Sequence, residues 1–116
     1  MGIQILAQSA HMQGLKSDGP VGRPLSEPAC ITSNLPVEID GAGNNRTGIW
    51  EVNVGRFERQ LANPEVMHIL AGECTFTPDG EAPAEIKAGD TLFFPANTSG
   101  VWDVHVPLRK FYVVMG

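Results

Sequence analysis

The sequence predicts an all-β domain, a sandwich or a barrel of antiparallel strands. Three observations predict it. Short apolar runs lie between Gly, Pro, Asp and Asn punctuators at a spacing of roughly 8–12 residues, as strands joined by tight turns require. Thirteen Gly and nine Pro supply the turns. No apolar stripe of helical period runs longer than two turns. With 116 residues, 42% hydrophobic and 18% charged, the chain has the material for one core and reads as folded rather than disordered.

Taken in order, residues 1–26 lack periodicity, and Gly14, Gly19-Pro20, Gly22 and Pro24 forbid a long helix. Ile3-Gln4-Ile5-Leu6 reads as an outer strand or as a loosely held tail. Pro28–Thr32 and Pro36–Ile39 are short extended segments. The Gly-rich run Asp40–Gly48 is a loop; it lacks a following Lys-Ser/Thr and a helix, so a surface connection is favoured over a phosphate cradle. Regular strands follow: Ile49–Val54, Phe57–Leu61, Val66–Leu70, Cys74–Thr77, Ala84–Ile86, Thr91–Phe94, Gly100–Val104 and Arg109–Val114, with a turn at Pro78-Asp79-Gly80.

The formal net charge of −5 and the scattering of eight basic residues speak against nucleic acid and anionic membrane as partners. No apolar run reaches the roughly 20 residues that span a bilayer, and the N-terminus lacks a signal-peptide layout. Cys30 and Cys74, far apart and outside any CxxC, are read as reduced thiols, which predicts a cytoplasmic protein.

A glutamate seven residues before a glycine (Glu65, Gly72) and a Gly-Asp pair with proline six residues after the glycine (Gly89-Asp90, Pro95) match the spacing of the two cupin signature segments. With Gly48-Ile49-Trp50-Glu51, Gly55-Arg56-Phe57, His68–Gly72, Gly100–Val104 and Arg109–Val113 around them, the chain resembles the small single-domain cupins of the cupin_3 (DUF861) group, ureidoglycine-aminohydrolase-like and ethanolamine-utilisation-like. The resemblance runs from about Gly48 to Val114. It implies a cupin jelly-roll β-barrel over residues 27–116, preceded by an arm over 1–26 that holds at most one outer strand.

Metal-binding cupins carry His-x-His, then three or four residues, then Glu in the first signature, and a His five residues after the proline of the second. With four intervening residues, the resemblance places the histidine positions on Glu58 and Gln60, the glutamate on Glu65 and the last histidine on Gly100. Only Glu65 keeps its residue type, so no full metal site is expected, although Glu58, Gln60 and Glu65 offer oxygens to a hard divalent cation. Strand parity sets Trp102 inward with Gly100 and Val104, and sets His68 and His105 outward. Glu58 and Glu65 are either an acid–base pair or carboxyls neutralised by hydrogen bonding or by a base across the barrel, for which Lys110 and Arg56 are the candidates. Of Trp50 and Glu51, which have opposite parity, Glu51 is assigned to the pocket mouth and Trp50 to packing. Cys74 reads as a small buried hydrophobe with no base near it.

The expected ligand pocket is therefore Glu51, Glu58, Gln60, Glu65, Trp102 and Lys110, holding a small polar metabolite without a cofactor. The alternative is a metal-dependent enzyme acting on a small nitrogenous or carboxylate metabolite. A third reading is an interaction module, and a homodimer is expected under all three.

Overall fold

The structure, a computed structural model, describes residues 2–116. Eight strands form it: β1 (Lys16–Pro20), β2 (Ile31–Pro36), β3 (Arg46–Val52), β4 (Gly55–Leu61), β5 (Glu65–Pro78), β6 (Ala84–Lys87), β7 (Thr91–Phe94) and β8 (Thr98–Val114). A single 3₁₀ turn, Ser9–His11, precedes them. All pairings are antiparallel, in the order β1-β2-β3-β8-β5-β6, with β4 also on β8 and β7 also on β5. Among the described residues no helix is long and apolar enough to cross a membrane.

Two long strands organise the barrel. β8 pairs through Thr98–Val104 with β4 and through Leu108–Val114 with β3, while β5 runs beside it over nearly its whole length. The sequence predicts four shorter strands here, Val66–Leu70, Cys74–Thr77, Gly100–Val104 and Arg109–Val114, with Gly72 and Pro107 in the gaps between them. The structure instead places the two opposite each other in one bulged stretch, where the β5–β8 register shifts between Ile69 and Cys74. A bulge tolerates a proline that cannot donate to the ladder. Gly72 has φ 95°, and a Cβ there would lie 2.2 Å from the Pro107 carbonyl oxygen, so only glycine serves.

Ile3–Leu6 forms no strand; the outer strand is β1, and residues 23–25 run along β4, with Leu25 N–H donating to the Arg56 carbonyl and Glu58 N–H to that of Arg23. Inside, Phe76, Phe94 and Trp102 form an aromatic stack, with Phe94 and Trp102 rings 5.6 Å apart and nearly parallel. Phe57, Met67, Ile69, Val104 and Leu108 close the core around them.

Candidate functional site

One end of the barrel carries a buried charge pair. Lys110 on β8 and Glu65 at the start of β5 both point inward, and Lys110 Nζ donates to Glu65 Oε2 at 2.8 Å. Both side chains are over nine-tenths buried. The ammonium also lies 4.5 Å from the Trp50 ring centroid and 5.7 Å from that of Trp102. Burial pushes the Lys110 ammonium below its ordinary value, against the pull of Glu65.

Above the pair opens a cavity of about 280 Å³, lined by Asp18, Asn34, Trp50, Arg59, Gln60, Leu61, Glu65, Trp102, Lys110, Tyr112 and Val114. Its size suits a small molecule. Tyr112 Oη donates to Asn34 Oδ1 at 2.9 Å, and burial raises the phenol above its ordinary value. Arg59 reaches in from β4 with its guanidinium 5.7 Å from the ring centroids of both Trp50 and Phe57. Burial lowers the Arg59 pKa, offset in part by Glu65 and then Asp18. A larger groove of about 610 Å³ adjoins under residues 36–47, but its charged residues are exposed.

The structure brings Glu65, Trp102 and Lys110 together with Gln60 at the cavity's edge, and corrects two expected positions, Glu51 and Glu58. Glu58 and Gln60 are exposed, because the inward positions of β4 are Phe57, Arg59 and Leu61. Gln60 reaches the rim of the cavity, while Glu58 lies outside it. Glu51 sits on the outer face of β3, where Arg109 Nε donates to it at 2.8 Å, and Trp50 takes the inward position. The physical reason is alternation: Phe57 and Leu61 share parity and must be covered, which turns Glu58 out and Arg59 in. Arg56 is at the surface, 3.9 Å from Asp103. Arg59 was legible from that parity; Tyr112 shares parity with Lys110; Asn34 enters by its register opposite Trp50 and leaves no mark in the sequence.

The inward shift changes the comparison with a metal site. With three intervening residues instead of four, the histidine positions fall on Arg59 and Leu61. The set is then a cation, a hydrocarbon, Glu65 and Gly100. A Cβ at Gly100 would lie 2.4 Å from the Thr77 carbonyl oxygen and 2.6 Å from the Phe76 ring, so that position holds no side chain. His68 and His105 lie on the outer face, bonded to Thr91 and Thr75. Among the described residues no three His, Cys, Asp or Glu converge. This donor set does not fit a divalent metal, which needs about three or four N or O ligands.

The family model of the EutQ-like cupin domain matches residues 40–112. Among solved structures, a DUF861-family protein of unknown function from Pseudomonas syringae is 22% identical with a TM-score of 0.77; the match covers 89% of this chain and 45% of that one. The chain thus spans less than half of that protein's length. An ethanolamine utilization protein Q from Salmonella typhimurium is 24% identical, with a TM-score of 0.62, over 75% of this chain and 69% of that one. The EutQ protein of Clostridium difficile is 18% identical, with a TM-score of 0.66, over 80% and 75%. At these identities the likeness shows the fold. The search of curated proteins finds no match.

Proposed function

We propose, from the premise that the chain belongs to the EutQ-like cupin domain family, that it binds a small polar metabolite in the barrel without a metal. The observation that carries this reading is the Lys110–Glu65 pair beneath the cavity. A cation already engages the one carboxylate that a metal would need, and it is part of the protein. The Trp50 face beside it offers an apolar wall, and Arg59, Asn34 and Tyr112 offer polar contacts above it. Two buried free thiols support a reducing compartment, the cytoplasm.

A thermal-shift screen of polar metabolites in the presence of EDTA tests this. The expected result is a rise in Tm with at least one compound, unchanged by EDTA and lost in Trp50→Ala. Stabilisation that appears only when Mn, Fe, Ni or Zn is added would overturn it.

A further inference from the structure

We infer that the ligand of this cavity is a small monocarboxylate whose anion is held by Arg59. This rests on the cavity being the binding site, as proposed above, and adds the chemistry of its occupant.

The charges decide it. Lys110 and Glu65 satisfy one another at 2.8 Å. Arg59 is different: it lines the same cavity, and among the described residues it has neither a carboxylate within 4.0 Å nor a hydrogen-bond acceptor. Its guanidinium stays protonated in a protein. The aromatic rings of Trp50 and Phe57, each 5.7 Å away, do not accept its N–H groups in the plane of the fork. Arg59 is half-buried and none of its nitrogens is sealed from water, so its donors face the open cavity, where an incoming anion exchanges hydration for charge-assisted contacts. A planar fork of parallel N–H donors matches a carboxylate in bidentate fashion.

Charge count and size narrow the class further. The lining carries Lys110 and Arg59 against Glu65 and Asp18, so it is neutral overall. A monoanion paired with Arg59 meets little opposition, whereas a phosphate dianion would face two carboxylates. About 280 Å³ admits only a small molecule. With its oxygen on the Tyr112 hydroxyl, the Asn34 amide has its N–H groups free for a polar substituent at the far end.

The test follows the fluorescence of Trp50 and Trp102, the only two tryptophans of the chain, both at the cavity. Lactate, glycolate and benzoate are titrated beside their neutral amides, and beside inorganic phosphate, all in EDTA. The expected result is that a carboxylate binds at least about tenfold tighter than its amide, as a charge-assisted bidentate contact requires. Arg59→Gln, with its fold checked by circular dichroism, is expected to erase that ratio by weakening the carboxylate far more than its amide. Arg59→Lys, which keeps the charge and loses the fork, is expected to fall between the two and carries the test if the glutamine variant does not fold. Equal binding of acid and amide, a preference that survives in both variants, phosphate binding tighter than every carboxylate, or no response to any probe would each overturn the inference. The first three leave the binding cavity standing; only silence in the EDTA metabolite screen as well removes that too.

Discussion

At the residue scale, Lys110 and Glu65 matter because each justifies the burial of the other. A buried ion pair adds little net stability over a hydrophobic pair, but removing one partner strands a charge. Lys110→Met is therefore expected to cost about 3–5 kcal/mol. Adding Glu65→Gln to Lys110→Met is expected to recover a large part of that loss in a urea-unfolding double-mutant cycle. Additive losses would show that the two do not act as a pair. The thiols make a second prediction. Burial pushes Cys74 up from 9.0 to about 12, and raises Cys30 as well. Between pH 9 and about 12 the unfolded chain releases the Cys74 proton and the folded chain keeps it. Its stabilising contribution is thus complete below pH 9 and is lost as pH rises through that window. Lys110 acts in the opposite sense, since its lowered pKa favours the folded state as pH approaches 10.5. Cys74→Ala should accordingly flatten the alkaline loss of stability, and native Cys74 should resist iodoacetamide at pH 8 until the chain unfolds. Rapid native alkylation would contradict this.

At the scale of elements, the bulge between β5 and β8 shows what sequence patterns convey and what they do not. Most strand positions were legible from apolar runs and punctuation, and Thr91–Phe94 was located to the residue. That Gly72 and Pro107 interrupt pairing without ending a strand was not legible, because the compensation is made by the opposite strand. Gly72→Ala, with a positive φ and a carbonyl in the way, is expected to destabilise by at least about 2 kcal/mol, measured by denaturant unfolding. The site was half legible for a similar reason. The signature spacing found Glu65, and Lys110 was among its possible partners. The count of residues between signature positions is variable, however, and four was the wrong count for β4; Phe57 and Leu61 carried the right one. The N-terminal segment is fastened at two places: Gln4 donates to the Glu38 carbonyl and accepts from Asp40 N–H, and Arg109 holds residues 9–12. Arg109 binds Glu51 and donates to the carbonyls of Ser9 and Met12 at 2.9 and 2.8 Å. Arg109→Ala is expected to raise amide exchange over residues 5–15 while the β5 and β8 amides stay protected. Uniform loss of protection would mean that Arg109 supports the barrel as a whole.

At the scale of the molecule, the barrel keeps the cupin frame and changes what stands inside it. Where metal-binding relatives of the fold converge imidazoles, this chain has Arg59, Leu61 and a glycine hemmed in by Phe76, and Lys110 supplies the positive charge. Fold therefore constrains where a ligand sits and leaves the chemistry to a few side chains. The most direct test of this account is the metal content of untagged protein, purified without chelator and counted per chain by mass spectrometry, before and after soaking in Mn, Fe, Ni and Zn. The account predicts far less than one metal per chain in every case, with Lys110→Met no different from wild type. One tightly held metal per wild-type chain, lost on Glu65→Gln, would contradict it.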